Sequence, residues 1–306
     1  MSPARQSREP ADQKRAFEEH YSGLRPEDFE AGRNLNPVLR FIRERRLKLA
    51  ISRLLAETQT RASDWTALVV CAGAGIDGTV LADQGFRDVT VSDFSLNALE
   101  LAKALDERLK TVQLDLENLS IPAGSYDLVV VQDGLHHLPR PTLGLTEMIR
   151  VARKAVIVIE PHEGVAARLA GIEWERTANA VNYVFRWNEW LFSSVIRSYL
   201  LLGSNTQRIL AQAPIDTRRP CRLNYSGNDP CSYRILAIRV WDHNPTASRL
   251  ARLLGMGSVA RTTVRLAYGA LEFFFRGLGN TFIGILVKGK GAIPNNEKAR
   301  CPEGGA

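Results

Sequence analysis

Between Trp65 and Pro161 the chain alternates short apolar, β-branched runs with stretches of helical spacing, and this rhythm leaves few folds open. "WTALVVCAG" is an apolar run ending in glycine, "GTVLADQGF" a short helix closed by Gly85, "DVTVSD" a strand, and "SLNALELAKAL" a helix led by a Ser95 cap. "TVQLDL" and "YDLVVVQD" continue the strands, "RPTLGLTEMIRVAR" is a helix, and "KAVIVIEP" is a further strand. Strands joined by helices need crossovers, so the expected fold class is α/β: a Rossmann-like, mostly parallel sheet with helices on both faces. After Pro161 the rhythm loosens. "WNEWLFSSVIRSYLLLG" reads as a helix ended at Gly203, "TQRILAQAP" as strand-like, and "NTFIGILVKGK" as a final strand.

The flanks divide accordingly. Residues 1–36 read as a polar, partly ordered tail with at most one short helix around Phe17, and 37–61 as an N-terminal helical extension opened by Pro37. The core is expected over 62–214, an insertion over 215–279 as a helical lid or substrate-covering element, a closing strand over 280–290, and a flexible tail over 291–306. With 45% hydrophobic and 24% charged residues the chain has a globular composition. The N-terminus lacks an apolar signal region and no run of eighteen apolar residues occurs, so a cytoplasmic location is expected. Cys71, Cys221, Cys231 and Cys301 form no C-x-x-C pair, and no metal site is expected. The net charge of +7 favours an anionic partner without choosing among phosphorylated ligand, nucleic acid and membrane surface.

Gly73, Gly75 and Gly78 in "CAGAGIDG" match G-x-G-x-x-G, a loop whose backbone approaches a ligand closely and leaves helix N–H groups free. Asp93, about twenty residues on, suits an acid that binds ribose hydroxyls, which fits NAD and an NAD-dependent dehydrogenase. Two further features turn the balance. A second acid, Asp115, ends "VQLDL", placed to accept from an adenine amine, and "GSYDLVVVQDGLHHLP" closes a strand on a histidine-bearing turn.

Together "ALVVCAGAGIDG", "VSDFS", "VQLDLENLSIPAGSYDLVVVQDGLHHLPRP" and "TEMIRVARKAVIVIEP" resemble the class I S-adenosylmethionine-dependent methyltransferases, most closely the group that includes ubiquinone and menaquinone methyltransferases. The resemblance spans about Ala67 to Pro161. It implies an antiparallel last strand and S-adenosyl-L-methionine as cofactor. It also implies that Gly73 and Gly75 pack on the methionine part, Asp93 binds both ribose hydroxyls, Asp115 and Leu116 contact adenine, and Gln132 and Asp133 meet the amino-acid end. Val69 stands where that group usually has an acid and Cys71 where it has a glycine, with Asp77 a substitute contact for the ammonium. "ARKAV" replaces the group's usual proline and paired glycines in what is expected to be a turn.

The expected activity is methyl transfer to oxygen, carbon or nitrogen of a small organic acceptor. A phenol, enol or ammonium acceptor needs a general base, and His136, His137 and His162, with Glu160, fall at the carboxyl edge where ligands of such sheets bind. "NYVFRWNEWLF" and "YGALEFFFRG" are expected to wall a hydrophobic or lipid-like acceptor pocket. Arg43, Arg45, Arg46 and Lys48 form a basic helix side: a solvated face, or the nucleic-acid face of an RNA methyltransferase. Arg249, Arg252, Arg261, Arg265 and Arg276, interleaved with apolar residues, allow peripheral contact with anionic lipid. A non-catalytic, cofactor-binding regulatory protein is the remaining alternative.

Overall fold

The computed structural model describes residues 10–27, 37–162, 189–202, 233–241, 257–275 and 278–288. Helices α1 (Pro10–Tyr21) and α2 (Pro37–Thr58) precede β1 (Thr66–Val69), α3 (Ile76–Asp83), β2 (Asp88–Asp93), α4 (Leu96–Leu105) and β3 (Lys110–Gln113). Then come β4 (Tyr126–Gln132), α5 (Pro141–Val151), β5 (Ala152–Pro161), α6 (Glu189–Leu202), β6 (Tyr233–Val240), α7 (Ser258–Phe274) and β7 (Thr281–Lys288). The seven strands form one sheet in the order β3-β2-β1-β4-β5-β7-β6. β1 to β5 run parallel, and β7 is antiparallel to both β5 and β6. Strand order reverses between β1 and β4, so the crevice beyond their carboxyl ends is the natural ligand position.

Alternation along each strand builds two cores. Ala67, Val69, Leu128, Val130 and Ile157 pack on one face with Leu47, Ile51 and Leu54 of α2, while Leu68, Val70, Val129 and Val131 meet Met148 and Ile149 of α5 and Phe192 and Ile196 of α6 on the other. Burying each α2 leucine fully contributes about 1.5–3 kcal/mol, so α2 is part of the domain's core as well as an extension of it. Ser95 caps α4 by accepting from the Ala98 N–H at 3.1 Å.

The structure corrects four expectations. Tyr233–Val240, inside the stretch read as an insertion, is the sheet's edge strand β6; Arg234 and Arg239 interrupt its apolar pattern, and Arg239 is held by Glu189 at 2.5 and 2.7 Å. "ARK" is not a turn: Ala152 begins β5 directly after α5, with a register shift between Tyr126 and Leu128 of β4 taking up the irregularity. Phe192 does not wall a pocket; it is wholly buried, edge-on to Phe282 at 5.5 Å. α7 packs on Val38 and Ile42 of α2 through Ala260, Val264 and Tyr268, and turns its phenylalanines outward. "TQRILAQAP", Gly203, residues 182–188, the tails at 1–9 and 289–306, Arg249, Arg252, Arg276, Cys221, Cys231 and Cys301 lie outside the described residues.

Candidate functional site

The glycine loop leaves β1 with left-handed backbone at Cys71 (φ 49°), Gly73 (φ 51°) and Gly75 (φ 78°). A Cβ on Gly75 would lie 2.8 Å from the Ala102 Cβ, so this position requires glycine twice over, for φ and for space. Gly78 serves packing instead, its absent Cβ allowing α3 to approach Val91 of β2. Cys71 keeps the loop's shape without glycine's freedom, and burial pushes its thiol well above the usual range. Asp93, buried at the end of β2, folds back on this loop: one carboxylate oxygen accepts from the Gly73 N–H at 2.9 Å, the other from the Ser95 N–H at 3.1 Å. Burial raises its pKa despite these donors.

Two arginines of α2 enter the site, which sequence reading missed. Arg43 donates to both oxygens of Asp77, Nε at 3.0 Å and Nη2 at 2.5 Å, and reaches Asp133 and the Gln132 carbonyl at 3.3 Å. Arg46 donates to both oxygens of Asp133 at 3.2 and 2.6 Å. Burial works against the Asp133 charge, but the two guanidiniums outweigh it and hold the carboxyl below its usual range. Gln132, 1% exposed, donates to the Arg43 carbonyl at 3.3 Å, and its Oε1 accepts no hydrogen bond among the described residues. The basic helix side is therefore largely engaged: Arg45 pairs with Glu272, and Arg40 and Lys48 with Glu44 at 2.8 Å each. A helical repeat placing residues 43 and 46 on one side was the available signal, but their acids lie far along the chain.

α1 roofs the opposite end. Lys14 donates to Asp115 at 2.7 Å, Phe17 stands edge-on to Phe94 at 5.6 Å and to His137 at 5.1 Å, and Glu18 accepts from the Ser95 hydroxyl and the Leu96 N–H. The Tyr21 hydroxyl lies 2.6 Å from where a Gly73 Cβ would be. Burial, then the Asp93 charge, pushes its phenol up to about 12, so it stays neutral. Burial opposes ionisation of Asp115, yet Lys14 and the Glu117 N–H bring its pKa below the usual value. Leu116 is buried in the core, its side chain against Gly144 of α5.

His136 and His137 occupy the turn after β4, ring centroids 4.1 Å apart. Glu160, wholly buried at the end of β5, accepts from the Gly134 and Leu135 N–H groups at 2.9 and 2.7 Å and contacts His136 Nδ1 at 2.6 Å. Burial disfavours the imidazolium, but Glu160 outweighs it and raises the His136 pKa. The backbone N–H of His162, just past β5, donates to the Asn280 carbonyl at 2.7 Å, beside β7.

Acids at the ends of β2 and β4, a glycine loop at the reversal of strand order, and an antiparallel seventh strand thus occur together. A family profile described as a methyltransferase domain matches residues 68–159. Residues 68–159 are a class I methyltransferase domain. The methyltransferase domain is similar to demethylmenaquinone methyltransferases of Clavibacter sepedonicus, 34% identical over 89 residues that cover 28% of this chain and 36% of the relative, and of Staphylococcus aureus, 35% over 99 residues covering 30% and 41%. The matched part thus spans well under half of these curated relatives' length. In fold, the chain is similar to a putative methyltransferase solved in complex with the Haloferax volcanii Trm112 activator, with a TM-score of 0.52 at 15% identity, covering 89% of this chain and 96% of that one. No helix among the described residues is long and apolar enough to cross a membrane.

Proposed function

We propose that the protein transfers a methyl group from S-adenosylmethionine to a small, apolar acceptor. The observation that carries the reading is the tie of Gly73 to Asp93 inside a sheet closed by an antiparallel strand. The donor set suits the cofactor: the buried Gln132 Oε1 has no hydrogen bond among the described residues and can accept from an ammonium, while Asp77 and Asp133 beside it are held by Arg43 and Arg46. Asp93 would take the ribose hydroxyls, Asp115 and the Leu116 backbone the adenine, and Arg43 the methionine carboxylate. When bound, the cofactor supplies a methyl group already activated on a sulfonium. The chain's own work is then alignment and water exclusion. α1 covers the crevice with Phe17 and Tyr21, and the Phe17, Phe94 and His137 rings give the acceptor an aromatic wall. His136, oriented through Nδ1 by Glu160, is the group to take a proton from the acceptor, in the way a buried carboxylate orients a catalytic imidazole. The names of the relatives, which act on demethylmenaquinone, support an apolar acceptor.

Calorimetric titration with S-adenosylmethionine, S-adenosylhomocysteine and NAD tests the reading. Binding of the first two is expected; binding of NAD alone would overturn it. Asp93→Ala removes charge-assisted hydrogen bonds worth about 1.5–3 kcal/mol each, roughly tenfold or more in affinity. An unchanged affinity would remove Asp93 from the cofactor site.

A further inference from the structure

Seven large apolar side chains stand exposed among the described residues, and six of them lie in or beside α7: Val259, Leu266, Phe273, Phe274, Phe275 and Leu278. Phe273 is 81% exposed and Phe274 73%. Val259, Leu266 and Phe273 recur at seven-residue intervals, so they form one stripe down the helix, opposite the Ala260, Val264 and Tyr268 stripe that packs on α2 and Trp241. α7 is therefore apolar on two faces, only one of which the fold covers. Exposed apolar area concentrated in this way marks an interaction site.

The charge along the same stretch selects the partner. Residues 257–275 hold two arginines, Arg261 and Arg265, against a single acid, Glu272. That acid is already paired with Arg45 of α2. Arg261 and Arg265, one turn apart and exposed, lie on one side of the helix between its packed and its bare stripe. Protruding phenylalanines beside unopposed arginines suit a surface that is apolar beneath and anionic on top, which is an anionic lipid bilayer. A second protein would have to bring matching acids to the rim.

We propose that α7 docks the protein on anionic membrane surfaces, with Phe273, Phe274 and Phe275 entering the acyl boundary and Arg261 and Arg265 meeting lipid phosphates. The geometry links this surface to the crevice. α7 is fixed to α2 by Tyr268 packing and by the Arg45–Glu272 pair, and α2 is the helix that carries Arg43 and Arg46 to the strand ends. An apolar acceptor dissolved in the bilayer would then be presented near the site, a step that rests on the proposed methyl transfer; the docking itself does not.

Co-sedimentation of the full chain with phosphatidylcholine vesicles, with and without phosphatidylglycerol, tests the docking. Binding only to the phosphatidylglycerol vesicles, weakened by added salt, is expected. Arg261→Gln and Arg265→Gln should each weaken it about fivefold at low salt, and Phe273→Ser with Phe274→Ser should abolish it. No binding by the unaltered chain, or equal binding to both vesicle types, overturns the proposal. So does a dimer in solution that the Phe273→Ser/Phe274→Ser variant dissociates without any lipid binding by the parent, which would assign the stripe to a second copy. S-adenosylmethionine titration of every variant reports correct folding, and if the phenylalanine variant does not fold, the arginine variants and the salt dependence decide. Loss of cofactor binding by the unaltered chain would overturn methyl transfer and leave the vesicle result standing.

Discussion

Glu160 sits at 0% exposure with both oxygens committed, to two backbone N–H groups and to His136. A buried carboxylate is tolerable only when its acceptor sites are filled, so the imidazole is part of what makes Glu160 possible at all. Because the folded-state pKa of His136 is raised, the pair stabilises the fold fully below the ordinary imidazole value of 6.5, and the contribution is lost as pH rises through the raised value. Glu160→Gln keeps an acceptor for the backbone donors and removes the charge. The stability difference between wild type and this variant, from urea denaturation, should therefore be largest in mild acid and shrink as pH rises. Catalysis gives the opposite limb. A general base works deprotonated, so the rate of the wild type should rise with pH through the raised pKa, while Glu160→Gln should reach its lower plateau at a lower pH. A profile that does not move would remove His136 as the base.

Two elements owe their position to contacts far along the chain. α5 runs into β5 with no connecting loop, and the carbonyls of Ile149, in the last turn of α5, and of Ala152, its C-cap and the first residue of β5, accept from Lys288 of β7, the latter at 2.6 Å. Burial lowers the Lys288 pKa to about 8, yet its ammonium meets the negative end of the helix. Lys288→Ala would leave two buried carbonyls unpaired, and a loss of about 1–3 kcal/mol in urea denaturation is expected; an unchanged midpoint would mean water replaces the lysine. α1 is the second case. Its tethers, Lys14 to Asp115 and Glu18 to the start of α4, lie at the rim of the crevice, while Phe17 and Tyr21 cover it. Phe17→Ala with Tyr21→Ala should raise the cofactor Kd, measured by titration, more than it lowers the denaturation midpoint. Lower stability at unchanged Kd would make α1 packing alone.

Across the whole molecule, the parts readable from sequence are those set by local periodicity. Alternating residues such as Ala67, Leu68, Val69 and Val70 must face opposite sides of a strand, so β1, β2, β4, β5 and β7 and the helices between them follow from spacing alone, as does the Ser95 cap. The strand-end positions of Asp93, Gln132 and Asp133 follow with them, because in a parallel sheet the carboxyl ends all reach one edge. β6 escaped because an edge strand buries one side only and carries two arginines that break its pattern. Arg43 read as surface charge because its partner Asp77 is 34 residues away, and Arg46 because Asp133 is 87 away. The Phe192 and α7 aromatics were equally apolar in sequence, and only packing sent one into the core and left the others bare. Sequence by itself thus determined the sheet apart from β6, the helices between its strands and the acids at its edge, through short-range sterics and burial. Tertiary structure alone decided which charges meet, which helix roofs the crevice and which apolar face stays uncovered, since those depend on surfaces that become neighbours only when the chain is folded.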